Sequence, residues 1–267
     1  MAEDLFAMPT VLPPPVGARI RRDRTYRTDA HGDLLLDAYL PATGNGPWPA
    51  VLLINGDAEE PVIARAKDWG VYRSYGEHLA ARGLVGVPFN HRSTRTVGRA
   101  EVAAEVTAAL DHIRANANDL EIDTARIGVW AFSAAGSFAL AGLLRTRPAY
   151  LKAIVGFYTV WDLSAFQKLD PGLTNADIQE WSATEALGTT IADLPPILVA
   201  IAGRDNPPFI SGAESFVKRA ADLGADIRVH RHPEGQHGFD VRDDDERSRE
   251  IIREALDFFA STLGSSR

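Results

Sequence analysis

The chain has no cysteine among its 267 residues. That excludes a disulfide framework, a thiolate nucleophile and a zinc site built on cysteine, and it leaves the compartment open. Positive charge is also in short supply: 28 Lys and Arg stand against 36 Asp and Glu, a net charge of -8. Such a balance argues against a nucleic-acid or anionic-membrane partner attracted by bulk charge. No apolar stretch approaches the roughly 20 residues that span a bilayer, so no membrane association is expected. The first ten residues lack the basic start and apolar core of a signal peptide, and a cytoplasmic location is the expectation. Internal repeats and low-complexity tracts are missing too.

What is present is an alternation of short apolar runs and amphipathic segments. Residues 1–19, with Pro9 and Pro13 to Pro15, read as an extended arm without a core of its own. Arg21 to Thr28 and Leu34 to Leu40, separated by Asp29-Ala-His-Gly32, have the spacing and turn chemistry of an antiparallel hairpin. Ala50 to Ile54, Leu84 to Phe89, Ile127 to Phe132, Leu151 to Tyr158, Pro196 to Ala202 and Ile227 to His230 follow as strands. The wholly apolar runs among them are the mark of strands covered on both faces. Between them, Trp69 to Arg82, Arg99 to Ala117, Phe209 to Leu223 and Glu246 to Leu263 have helical spacing. Thr159 to Asp193 has no strand pattern and is read as a cap-like insertion. The pattern predicts residues 20–267 to be a single α/β domain with a doubly wound, mostly parallel sheet after an N-terminal hairpin. Ligands of such sheets bind beyond the carboxyl ends of the strands, so the loops after Ile54, Phe89, Phe132, Tyr158, Ala202 and His230 share the functional rim.

The stretch from Arg126 to Gly136 organises that rim. The apolar run Ile127 to Phe132 breaks at Ser133 and continues at helical density from Ala134 to Leu144. A strand that turns abruptly into a helix holds the corner hydroxyl proud of the sheet, beside free N–H groups of the first helical turn. Strand and helix pass closely at such a corner, which demands small neighbours, here Ala131, Ala135 and Gly136. The alternative reading of Ser133 is an ordinary helix N-cap.

A serine hydroxyl is a poor nucleophile near neutrality unless a base takes its proton and a carboxylate orients that base. Seven histidines compete for the role of base. His31 sits in the hairpin turn, His78 and His112 lie inside helices, His91 is on the rim but early, and His230 and His232 alternate along the last strand. His237, in the glycine-flanked loop Pro233 to Asp240, has the freedom to reach over the sheet edge. For the carboxylate, Asp205 after the strand ending at Ala202 is preferred to Asp162, one strand earlier. Its alternative is a turn aspartate ahead of the next helix.

Ser133, Asp205 and His237 thus follow in the serine–acid–histidine order of the α/β-hydrolases. Ala131-x-Ser133-x-Ala135 resembles their G-x-S-x-G elbow with alanine at both glycine positions. Gly203-x-Asp205 before prolines and Gly235-x-His237-Gly-Phe239 resemble most the dienelactone hydrolase and acyl-peptidase-like branches. The resemblance covers roughly residues 20 to 263. It implies an oxyanion hole formed by the N–H of Ala134 and a second amide from the loop after Ile54. That loop reads His-Gly-Gly in relatives and Asn55-Gly56-Asp57-Ala58 here, leaving Asp57 or Ala58 as donor. The Asp57 carboxylate must then point away or be paired, with Arg65, Arg92 or Arg95 as candidates. Arg92 matches a position at which relatives carry a structural arginine; the other reading is a contact to a substrate carboxylate. Trp161 and Trp181 are candidate pocket walls.

The expectation is a serine hydrolase that cleaves carboxylic esters, with small amides or peptides as further substrates, through an acyl-enzyme on Ser133. It needs no metal and no organic cofactor. A small-molecule ester is the expected partner, and a homodimer is left open. Two alternatives share the fold: a lyase or transferase on the same triad, and a non-hydrolytic small-ligand-binding protein.

Overall fold

The N-terminal hairpin and the short apolar runs that follow it assemble into one eight-stranded sheet. The computed structural model describes residues 7–264. The strands are β1 (Arg19–Asp29), β2 (Gly32–Leu40), β3 (Trp48–Ile54), β4 (Val85–Pro88), β5 (Ile122–Phe132), β6 (Leu151–Phe157), β7 (Ile197–Ala202) and β8 (Ile227–His232). Their spatial order is β1-β2-β4-β3-β5-β6-β7-β8. β1 and β2 pair antiparallel, β2 meets β4 antiparallel, and every pair from β4 to β8 is parallel.

Among the described residues there are six longer helices, α1 (Gly70–Ala80), α2 (Arg99–Ala115), α3 (Leu140–Thr146), α4 (Asn175–Trp181), α5 (Pro207–Asp222) and α6 (Glu246–Gly264), of which all but α4 cover the sheet. Successive strand residues point to opposite faces, so the fully apolar strands serve two cores. Ala50, Leu52 and Ile54 of β3 pack with α2, α3 and α5, whereas Val51 and Leu53 pack with α1 and α6. On β5, Ile127, Val129 and Ala131 face the first core, and Trp130 and Phe132 the second. Trp130 is wholly enclosed, with the rings of Tyr75, Phe157, Phe132 and Phe259 at 4.3, 5.0, 5.4 and 5.5 Å. Each such aromatic pair contributes about 0.5–1.5 kcal/mol beyond its buried area. The strand that ends at Ser133 is therefore anchored by a cluster of buried aromatic rings.

The arm expected over residues 1–19 is described from residue 7, its first six residues lying outside the described chain. It lies across α1: the Thr10 N–H donates to Ser74 Oγ at 3.4 Å, and Val11 N–H donates to the Asp240 carbonyl at 2.8 Å. His78 Nε2 lies 3.1 Å from Leu12 O and 3.3 Å from Thr10 Oγ1, and burial pushes its pKa down to about 4. The segment between β6 and β7 carries a 3₁₀ turn (Leu163–Phe166), α4 and a short turn (Ala183–Ala186). It forms its own small core of Val160, Leu163, Leu173 and Ile178.

One expectation is corrected. The helix read from Ala134 to Leu144 does not begin at the serine: residues Ser133–Ser137 form a 3₁₀ turn, and α3 starts only at Leu140. Two contacts account for this. Gly136 is pressed against the Val160 carbonyl, and Ser137 Oγ turns back to donate to Ala134 O at 2.8 Å. A single 3₁₀ turn aligns fewer peptide dipoles than a full helix, so the favourable potential at the corner comes mainly from the local N–H groups.

Candidate active site

β5 delivers Ser133 at φ +52°, a left-handed conformation uncommon for a residue with a side chain. Strain of this kind costs of order 1–3 kcal/mol and persists only where the surroundings enforce it. Here the Ser133 carbonyl accepts from Thr159 Oγ1 at 2.7 Å and from the Val160 N–H at 2.9 Å. Thr159 Oγ1 in turn accepts from the Gly136 N–H at 2.9 Å. A Cβ on Gly136 would stand 2.0 Å from the Val160 carbonyl oxygen, so no side chain fits there. Ala131 and Ala135 are completely buried. The close approach that glycine serves in G-x-S-x-G falls here one residue later, on Gly136.

β7 and β8 deliver the acid and the base. The turn after β7 and the loop after β8 are tied together by backbone bonds, Gly203 N–H to His232 O and Arg204 N–H to Gly235 O, both 2.8 Å. His237 Nδ1 lies 2.7 Å from Asp205 Oδ2, and His237 Nε2 lies 2.8 Å from Ser133 Oγ. The Asp205 side chain is 1% exposed, and its other oxygen accepts from the Asn206 N–H at 2.7 Å. A nitrogen facing a carboxylate carries the proton, which leaves Nε2 as acceptor for the serine O–H. Two rings, Tyr158 and Phe209, pack on the imidazole, each with its centroid at 4.7 Å.

The competing residues have other partners. The Asp162 carboxylate accepts from Ser164, Ser182 and Ser215, capping the 3₁₀ turn and joining it to α5. His91 is fully buried, with Nδ1 2.7 Å from Arg92 O and Nε2 3.1 Å from Asn55 O. His232 is buried against Asp245 and Ser248 at the start of α6.

The loop after β3 completes the rim. Gly56 lies against the nucleophile. The Asp57 carboxylate accepts from Thr94 Oγ1 and, at 3.3 Å, from the Thr94 N–H. A threonine, rather than the arginines considered from sequence, thus takes up this charge. Arg92 is only 7% exposed at its side chain and is bound by Glu105 at 2.5 Å and Asp29 at 2.7 Å. With its guanidinium so occupied, Arg92 braces α2 against the hairpin and is not free to meet a substrate carboxylate. Trp161 is 1% exposed and stacked on Phe216 at 4.2 Å, so it belongs to the core and walls no pocket. Trp181 is half-buried and, like Phe166 and Phe209, packs against the small core of Val160, Leu163, Leu173 and Ile178. Phe209, pressed on the histidine, and Thr159, which braces the serine, have no motif that would single them out in the sequence. Among the described residues no group of three or more His, Asp or Glu is placed to hold a metal ion. No helix there is long and apolar enough to cross a membrane.

A serine on a strained strand end, met by a histidine and an acid from the loops after the last two strands of this sheet, defines the α/β-hydrolase class. The BD-FAE family model matches residues 36–203. The chain belongs to that family of α/β-hydrolase-type esterases. The matched span includes the Ser133 elbow and the Gly56 loop and ends just before Asp205. Solved structures share the fold at low identity. Esterase B from Lactobacillus rhamnosis HN001 is 17% identical with a TM-score of 0.78, over 98% of this chain and 90% of that one. A truncated carbohydrate esterase from gut microbiota is 19% identical with a TM-score of 0.76, over 95% and 100%. A bacterial heroin esterase is 19% identical with a TM-score of 0.72, over 93% and 86%. No curated protein sequence matches the chain.

Proposed function

We propose that the protein hydrolyses carboxylic esters with Ser133 as nucleophile, His237 as general base and acid, and Asp205 as the carboxylate that orients and charge-stabilises His237. The observation that carries this reading is the unbroken relay of 2.7 and 2.8 Å from Asp205 through His237 to Ser133. The Ser133 O–H passes its proton to His237 Nε2 as Oγ attacks the ester carbonyl. The oxyanion is held by the N–H of Ala134 and that of Asp57 or Ala58. His237 returns the proton to the departing alcohol, and water then releases the acid from Ser133 by the reverse sequence.

The leaving group departs beside His237, where Phe209 and Phe166 meet edge to face at 4.9 Å. With Trp181 in the same cluster, this side of the site favours an apolar alcohol. The segment over residues 159–193 supplies Phe166 and Trp181 and acts as the cap. Esterase neighbours support ester over amide substrates. The test is hydrolysis of a short-chain aryl ester by the wild type and by Ser133→Ala. Turnover lost in the variant fits the reading. A wild type that binds the ester without hydrolysing it points to the ligand-binding alternative.

A further inference from the structure

One buried carboxylate has no part in this reaction. Asp240 lies three residues beyond His237, is fully enclosed, and accepts two hydrogen bonds from tyrosines on different elements. Tyr75 of α1 donates at 2.6 Å and Tyr158, just past β6, at 2.7 Å. Burying a carboxylate costs several kcal/mol before its hydrogen bonds are counted, so packing alone is a weak reason to place one here. Burial pushes its carboxyl upward, and the two hydroxyl donors oppose that.

Tyr158 connects this carboxylate to the triad. Its ring leans on the His237 imidazole with centroids 4.7 Å apart, and its backbone is held at φ +39°. The next two residues, Thr159 and Val160, donate to the Ser133 carbonyl. Nucleophile and base thus lean on one tyrosine–aspartate cluster.

We propose that Asp240 is a positioning residue that, through Tyr158, fixes the plane of the His237 imidazole against Ser133. This rests on the serine-hydrolase reading above. The Nδ1–Asp205 bond anchors one edge of the imidazole but permits a pivot about that bond. Tyr158 and Phe209, both with ring centroids 4.7 Å from that of the imidazole, restrict the pivot. Tyr158 keeps its place because its hydroxyl is tied to Asp240. A displacement of about 1 Å at a reacting atom costs on the order of 100-fold in rate, so a weaker hold is visible in kcat.

The experiment compares the wild type, Asp240→Asn and Tyr158→Phe in the full chain, with Leu263→Ala, a buried residue at the end of α6, as a core variant that lowers stability away from the triad. Tyr158→Phe keeps the ring and removes only the hydroxyl, so it remains informative where Asp240→Asn folds poorly. Steady-state hydrolysis of an aryl acetate is expected to show kcat lower by about tenfold or more in both site variants, with KM within about twofold. Leu263→Ala is expected to lower the melting temperature without that loss of kcat. A second readout needs no turnover: the low-field proton resonance of His237 Nδ1–H, recorded in a Ser133→Ala background, is expected to broaden or vanish in both variants. Unchanged kcat together with an unmoved resonance overturns the proposal, whatever the melting temperatures. An inactive wild type whose resonance still depends on Asp240 refutes the hydrolase reading and leaves the positioning role standing.

Discussion

Gly56 lies so close to Ser133 that a Cβ on it would stand 2.8 Å from the serine Cβ and 3.2 Å from Oγ. The oxyanion loop and the nucleophile therefore touch backbone to side chain, with no room for a methyl group. Gly56→Ala must push the loop or the serine aside, which separates the oxyanion donors from the attacking oxygen. Loss of one such donor costs about 10²–10³ in kcat, and a drop of that size is expected at unchanged KM. Steady-state kinetics with a matched thermal melt checks it.

Asp205 and Asp162 were the two acids available to the histidine, and their partners separate them. Asp205→Asn leaves the volume unchanged but offers Nδ1 an amide, favouring the wrong tautomer. A fall in kcat on the order of 10³–10⁴ is expected. Asp162→Asn replaces one of the two carboxylate oxygens that accept from Ser164, Ser182 and Ser215, and is expected to lower the melting temperature while leaving kcat within about threefold. Equal kinetic losses in the two variants would contradict the assignment of the acid.

The Arg92–Glu105 pair predicts a stability effect without a binding effect. Glu105 is fully buried, and Arg92→Ala strands its carboxylate. Removing one partner of such a pair costs about 3–5 kcal/mol. Urea unfolding is expected to show a loss of this order. The KM ratio between neutral and carboxylate-bearing esters should stay unchanged.

Acid sensitivity follows from His78. Its folded pKa, pushed down to about 4 by burial, lies below the ordinary value of 6.5. The unfolded chain therefore binds this proton first as pH falls. The stability held by neutral His78 is fully present above pH 6.5 and is lost as pH falls towards 4, at a limiting slope of about 1.4 kcal/mol per pH unit. Unfolding free energies measured from pH 7.5 to 4.5 should fall more steeply for the wild type than for His78→Leu. The group sits under Thr10 and Leu12, so proteolysis at the arm should rise over the same interval.

The fold was legible in the sequence because strands covered on both faces are apolar at every position, and Ala50 to Ile54 or Pro196 to Ala202 could be little else. Ser133, Asp205 and His237 could be singled out because each lies in a loop directly after a strand, at a place defined by strand order. The start of α3 was not legible. Ala134 to Leu144 is good helix sequence, and what delays the helix is the carbonyl of Val160, which tertiary packing brings against Gly136. The surroundings of Trp161 were equally hidden: an aromatic beyond a strand end suits a pocket or a core, and only its stacking on Phe216 decides between them. Asp57 drew attention to arginines by charge, yet its partner is an uncharged threonine brought close by the fold.

The central claim is that Ser133 is a nucleophile made reactive by His237, and covalent trapping reads it most directly. Wild type and His237→Gln are treated with a fluorophosphonate near neutral pH, and the adduct is located by mass spectrometry of the digested chain. The account predicts one adduct on the peptide that carries Ser133, formed at least about 100-fold more slowly without the imidazole base. No adduct on the wild type, an adduct on another serine, or equal rates in the two proteins would contradict it.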